Sequence, residues 1–307
     1  MNQLSGTIPP EIGKLTNLVY LDLSMNQISG TIPPQIGSLT KLEILHFFDN
    51  QLNSSIPKEI CHLRSLAELD LSTNVLNGSI PVSLGNLNNL SYLHLYENHF
   101  SGFIPAEIGK LVNLVEAYLD SNQLTCRIPS EIGDLTKIKF LHLYSNQLSG
   151  PIPSELGNLK KLNDLQLSTN QLTGLIPAFF GNLRNLQTLF LRENKLSGSI
   201  PKEFAYLDHL VVLEMDENQF SGHLPEHLCQ GGKLENFTVN SNKLTGLIPK
   251  SLSKCSSFKR VHVHNNNFTG NLSEAFGIYP EFQFINLSEN DFHGELGSNW
   301  EEMQEFD

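Results

Sequence analysis

The sequence predicts an α/β-type repeat solenoid of 24-residue coils, each giving one short strand to a parallel β-sheet on a concave face and a short 3-10 or loop segment to the convex side. Three observations predict it. Thirteen asparagines, from Asn2 to Asn290, recur every 24 residues without one insertion or deletion. Counting each as position 0, Leu or another apolar residue recurs at +2, +10, +13, +16, +19 and +21. Pro stands at +7 in eleven coils, from Pro9 to Pro249, and Gly usually stands at +4. A phase kept over 289 residues is the signature of a repeat array and not of the two ordinary domains that a 307-residue length suggests.

The strand comes first in the reasoning. Apolar residues two apart, as in Leu21/Leu23, Leu69/Leu71 and Leu141/Leu143, alternate as a strand does and point inward. Successive strands then stack in parallel about 4.8 Å apart. The Asn after each strand turns the chain, and its amide can satisfy backbone groups of neighbouring coils. Pro at +7 prevents a long helix on the way back. No coil buries its own apolar face, so stacking supplies the stability. The array reads as a single solenoid over 1–307, about 12–13 coils, uncapped at both ends. The coil begun by Asn290 keeps Trp300, Met303 and Phe306 at +10, +13 and +16 and stops before its strand, as a fragment of a longer protein would.

Net charge is −12, which argues against nucleic acid and against an anionic membrane surface as partners. No run of 18 apolar residues is present, and the N-terminus lacks a basic, then apolar, leader, so neither a membrane span nor a signal peptide is read in this chain. No phosphate-binding loop, kinase signature or nucleophile–base–acid set appears, so the chain is expected to be no enzyme and to need no cofactor. His262 and His264 share one strand face but lack a third ligand, so no metal is expected. Cys229 and Cys255, at +11 and +13 of adjacent coils, either pair as a disulfide or stand as two buried thiols. Cys61 and Cys126 lie on the order of 15 Å apart by strand spacing, too far to bridge, and read as small residues in tight places. Seven glycosylation sequons occur, at Asn53, Asn77, Asn89, Asn236, Asn267, Asn271 and Asn286. Of these, Asn236 and Asn286 fall on outward strand positions, where glycans would cover the C-terminal third of the concave face.

Side chains at −6, −4, −2 and −1 from each repeat Asn point away from the core. Thirteen of them over twelve strands are acids, opposed only by Arg192 and Arg260, which would favour a basic ligand. Three consecutive strands concentrate aromatic residues there. They present Tyr92, His94, Tyr96 and Glu97, then Glu116, Tyr118 and Asp120, then Phe140, His142 and Tyr144. Packing of one ring on the next along a column is one account of this patch. The other is an anchor surface for a ligand, since Tyr joins apolar area to a hydrogen-bonding tip. An extended peptide lying across the strands would use both its aromatic and its acidic groups, and His94 and His142 would make affinity depend on pH.

The motif L-x-G-x-I-P, as in Ile28-Ser29-Gly30-Thr31-Ile32-Pro33 and Leu148-Ser149-Gly150-Pro151-Ile152-Pro153, resembles plant-specific leucine-rich repeats over the whole chain. The resemblance implies a right-handed superhelix and the extracellular, apoplast-facing part of a receptor-like kinase or receptor-like protein at the plasma membrane. The stretches Leu228–Leu234 and Glu274–Pro280, with Asn299-Trp300-Glu301, resemble the male-discoverer-interacting receptor-like kinases. That subfamily implies a secreted peptide or protein ligand, a leucine-rich-repeat co-receptor kinase, and a role in immunity or development. A second reading is an inhibitor of a secreted enzyme, since polygalacturonase-inhibiting proteins use the same unit, with cysteine caps that this chain lacks. An ice-binding array needs flat, regular polar columns, which the mixed aromatic columns break.

Overall fold

The computed structural model describes residues 2–296; Asn299, Trp300, Met303 and Phe306 lie outside them. The chain divides into two compact units, Met1–Ser149 and Gly150–Asp307.

In the first unit the predicted strands form at Tyr20–Asp22, Ile44–His46, Glu68–Asp70, Tyr92–His94, Glu116–Tyr118 and Phe140–His142. Each pairs in parallel with the next, and the register sets like position on like position: Tyr92 opposite Glu116 opposite Phe140, and His94 opposite Tyr118 opposite His142. The inward residues close the core, with Leu45, Leu93 and Leu141 all 0% exposed. Burying one such side chain is worth about 1.5–3 kcal/mol, and the unit repeats that gain coil after coil.

The repeat Asn closes each coil as its position predicts. Asn98 Nδ2 donates to the carbonyls of Leu71, Leu95 and Tyr96, at 3.0, 3.3 and 3.2 Å, while its Oδ1 accepts the Leu76 N–H at 3.0 Å. One amide thereby satisfies buried polar groups of two coils.

Two backbone features go beyond the pattern. One strand per coil is expected, but the structure has a second, short one just after each Asn, as at Gln27–Gly30, Gln51–Ser54, Val75–Ser79 and His99–Gly102. The alternating signal there is one apolar residue between polar neighbours, too short to read as a strand. The +4 Gly lies at or next to its end, left-handed at Gly78 (φ 75°) and Gly102 (φ 77°). Ser54 and Cys126 adopt the same conformation with φ of 70° and 67°, at a cost of about 1–2 kcal/mol each. Cys126 is exposed, so it does not fill a tight place as expected; Cys61, in the +11 glycine slot, is half-buried, and both are free thiols. The second feature lies at −1, where every coil from Met25 to Glu289 carries a non-glycine residue with φ between 50° and 56°. No residue preference marks it in the sequence.

The returns are 3-10 turns, Pro10–Lys14, Pro34–Ser38, Lys58–His62, Val82–Asn86, Ala106–Lys110 and Ser130–Asp134, each entered through or just after the +7 Pro. They stack so closely that Gly at +11 has no room for a side chain. A methyl group on Gly109 would lie 2.3 Å from the carbonyl oxygen of Glu131.

The second unit repeats the scheme with strands Asp164–Gln166, Thr188–Phe190, Val212–Glu214, Asn236–Thr238, Arg260–His262 and Phe284–Asn286. Its last coils depart from the expectation of 3-10 and loop returns. Lys250–Ser253 and Leu272–Ala275 are single α-helical turns, the latter capped by Asn271, whose Oδ1 accepts the Ser273 N–H at 3.1 Å. Cys229, in the return of the coil before Lys250–Ser253, and Cys255, just after that turn, form a disulfide with Cα atoms 5.9 Å apart. Among the described residues no helix is long and apolar enough to cross a membrane.

Candidate ligand-binding site

Three neighbouring strands of the first unit, Tyr92–His94, Glu116–Tyr118 and Phe140–His142, carry the ten predicted site residues on one face or directly after it. Since the pleat sends alternate residues the same way, Tyr92 and His94 emerge together, as do Glu116 and Tyr118. The −4 column forms a stack. Tyr118 lies face to face with His94 (4.6 Å between centroids, 9°) and with His142 on its other side (4.3 Å, 17°). Tyr96 meets Tyr118 edge-on at 6.4 Å, and Tyr144 tilts against His142 at 6.2 Å. These rings are half-buried, and packing along the column takes up both faces of Tyr118 while part of each ring stays at the surface.

Asp120 is a correction. Counting places it outward, yet it is only 3% exposed. The Tyr144 hydroxyl donates to it and covers it; burial pushes the Asp120 carboxyl up, against that hydrogen bond. Burial, and then the Asp120 charge, push the Tyr144 phenol up to about 12. Asp120 thus holds Tyr144 in place and offers no surface charge. Glu97 is exposed and accepts a hydrogen bond from Thr73 Oγ1 at 3.0 Å.

His94 bridges two carboxylates, with Nδ1 3.4 Å from Asp70 Oδ2 and Nε2 3.3 Å from Glu116 Oε2. Burial opposes the charged ring, but the hydrogen bond and charge of Asp70, then those of Glu116, outweigh it and hold the imidazole above 6.5. Asp70 is buried too, yet hydrogen bonds from His94 and from the side chain and backbone of Ser72 hold it below 3.8. The His94 contribution to stability is therefore complete below pH 6.5 and lost as pH rises through its elevated folded value. The Asp70 contribution is present above 3.8 and lost as pH falls through its depressed value. His94→Gln is expected to lower the melting temperature more at about pH 5.5 than at about pH 8.5; calorimetry showing an equal loss at both would contradict the bridge.

His46, Glu68 and Asp70 join the site without having been singled out. With Leu69, Tyr92, His94 and Glu116 they line a cleft of about 270 Å³. The sequence does hold a signal for them: the −4 column reads Asp22, His46, Asp70, His94, Tyr118, His142. Acid and imidazole alternate until Tyr118, which only a reading down the columns reveals.

The second unit has a cleft of another character, lined by Arg192, Glu214, Asp216, Thr238, Arg260 and His262 among others. Arg192 pairs with Asp216 and Glu217 at 3.5 and 3.8 Å, so this cleft is largely neutralised from within. His262 and His264 tilt together at 6.2 Å, but among the described residues no three potential ligands are grouped to hold a metal ion. None of the seven sequon asparagines is buried, and Asn236 and Asn286 stand at the first and last position of their strands.

A sequence family described as leucine rich repeat matches residues 16–76 and 160–220, and a second of the same description matches 89–111, 137–159 and 233–255. No curated protein matches the chain. Among solved structures, the plant peptide hormone receptor RGFR1 in complex with RGF2 is 32% identical with a TM-score of 0.92, covering 99% of this chain and 48% of that one. The Arabidopsis receptor kinase HAESA ectodomain, in complex with an IDA peptide hormone, is 34% identical with a TM-score of 0.82, covering 97% of this chain and 54% of that one. HAESA bound to both IDA and the co-receptor SERK1 matches at 27% identity and a TM-score of 0.58, with 95% and 61% covered. A plant ice-binding protein is 28% identical with a TM-score of 0.69, covering 88% and 83%. The chain thus spans about half the length of the RGFR1 and HAESA chains it matches. Receptors and an ice-binding protein on one scaffold mean that the exposed face, and not the fold, has to carry any functional assignment.

Proposed function

The chain belongs to the leucine-rich-repeat family, and from that premise we propose that it is ligand-sensing ectodomain sequence of a plant cell-surface receptor kinase or receptor-like protein. Its ligand is a secreted peptide, held in extended form across the strands of the first unit. One observation carries this reading: the Tyr/His stack and its acidic border stand on the open strand face of a scaffold like that of RGFR1 and HAESA, which were solved with peptide hormones. The mixed aromatic and acidic columns lack the flat polar regularity that ice binding needs.

Tyr96, Tyr118 and Tyr144 supply anchors of large apolar area with polar tips, His94 and His142 the imidazoles between them, and Glu97 and Glu116 the outer charges. Glycans on Asn236 and Asn286 would cover the corresponding face of the second unit and leave that of the first open. The parent protein is extracellular and recruits a co-receptor kinase once the peptide is seated, as HAESA is seen with SERK1. The irregular segments around Cys229 and Gly277 support placement among the male-discoverer-interacting receptor-like kinases.

The test is a titration of synthetic apoplastic peptides against the secreted chain by calorimetry. Tyr96→Ala and Tyr118→Ala, each checked for an unchanged cooperative melt, are expected to weaken a bound peptide about tenfold or more, as buried aromatic anchors do. Peptides that bind both variants as tightly as the parent would remove the patch from the assignment.

A further inference from the structure

The cleft at the N-terminal side of the stack has a charge problem that the chain solves only with protons. Its walls hold Glu68, Asp70 and Glu116. No Lys or Arg stands at any open-face strand position of the first unit. The cations within reach are imidazoles: His46 Nε2 is 3.3 Å from Glu68, and His94 lies between Asp70 and Glu116.

A charged imidazole has two N–H donors, one for each carboxylate; a neutral one has a single donor and can serve only one of them. Asp70 is already held by the Ser72 N–H at 3.0 Å and Oγ at 2.6 Å. When His94 is neutral, Glu116 is therefore the carboxylate left short of a donor, and it lines the cleft. Tyr92 stands beside it, edge-on to His94 at 6.5 Å, and Tyr118 lies parallel to the imidazole at 4.6 Å. Carboxylates with aromatic walls and no resident guanidinium make a receptor for an organic cation.

We propose that this cleft binds a guanidinium group of the ligand, an arginine side chain, in exchange for the proton carried by His94. The inference rests on the peptide-sensing reading of the face and names the residue type and the regulation. The planar, bidentate guanidinium fits a site shaped by a planar imidazolium between carboxylates better than a point-like ammonium does. As the cation docks on Glu116, one proton leaves His94 for solvent, and total charge in the cleft is conserved. Facing His94 are Glu68 and Asp70 from one neighbouring strand, Glu116 and Tyr118 from the other, and Tyr92 and Tyr96 from its own. None of these is a basic side chain; the other imidazole lining the cleft, His46, is paired with Glu68 across from Glu116. Binding therefore tightens as pH rises through the His94 titration, the direction expected of a receptor that answers to a less acidic exterior.

The experiment is a histidine-selective NMR titration of the whole chain, with the His94 signal assigned by its loss in His94→Gln. The probes are N-acetylarginine amide and its neutral isostere N-acetylcitrulline amide. Saturating arginine probe is expected to lower the His94 midpoint by about one pH unit, a coupling of about tenfold. By reciprocity the probe binds about tenfold tighter above that midpoint than below it. The citrulline probe should leave the midpoint in place, and Glu116→Gln should abolish the shift while the His94 signal persists. An unmoved midpoint, or an equal shift with citrulline, overturns the proposal. A peptide that still loses affinity in Tyr96→Ala while the midpoint stays put would overturn the cleft alone and leave peptide sensing standing. Failure of every peptide, with the arginine shift intact, would do the reverse.

Discussion

Asn98→Ala is expected to destabilise the first unit by about 3 kcal/mol or more, from the loss of hydrogen bonds to several buried backbone groups at once. Asn98 is 5% exposed, and its removal strips a donor from the carbonyls of Leu71, Leu95 and Tyr96 and an acceptor from the Leu76 N–H. Urea unfolding followed by circular dichroism measures the loss. A loss below about 1 kcal/mol would mean that the ladder is ornamental and that apolar stacking alone holds the coils.

Gly109→Val is expected to cost on the order of 3 kcal/mol through overpacking. Already its Cβ would lie 2.3 Å from the Glu131 carbonyl oxygen and 2.8 Å from the Glu131 Cβ, and the contact is with backbone, which cannot swing aside. Relief requires the two returns to separate, which drags Ile108 and Ile132, each 1% exposed, away from their neighbours. Gly85 meets Glu107 in the same way, at 2.3 Å. In the coils begun by Asn2 to Asn266 this position, where it is not Gly, is Cys61, Ala205, Cys229 or Ser253 and nothing larger; the coil begun by Asn290 has Glu301 there. Thermal melts of Gly109→Ala and Gly109→Val should therefore fall in that order; a Val variant melting with the parent would show the returns to be loosely stacked.

These two predictions separate what could be read early from what could not. The role of Asn98 follows from its phase, because a residue repeated every 24 positions meets its own copies and must satisfy the same groups each time. The tightness at Gly109 is written as a small-residue column but acquires a distance only when two returns are stacked. The second strand of each coil was hidden because its apolar signal is a single residue, and the left-handed residue at −1 because its identity varies from Met25 to Glu289. In the site, the face of Tyr92, His94 and Glu116 was legible by counting, whereas the burial of Asp120 under Tyr144 was not.

By itself the sequence determined the coil length, the pairing register and the side of the sheet on which every strand residue emerges, since a fixed period and a two-residue pleat leave no freedom in direction. Only the tertiary structure decided what each outward side chain does there. Asp120 was covered by Tyr144, Tyr118 filled the gap between His94 and His142, and His94 spanned Asp70 and Glu116. The physical reason is that direction is a property of one strand, while burial, stacking and protonation are set by partners a full coil away, whose side chains choose their rotamers together.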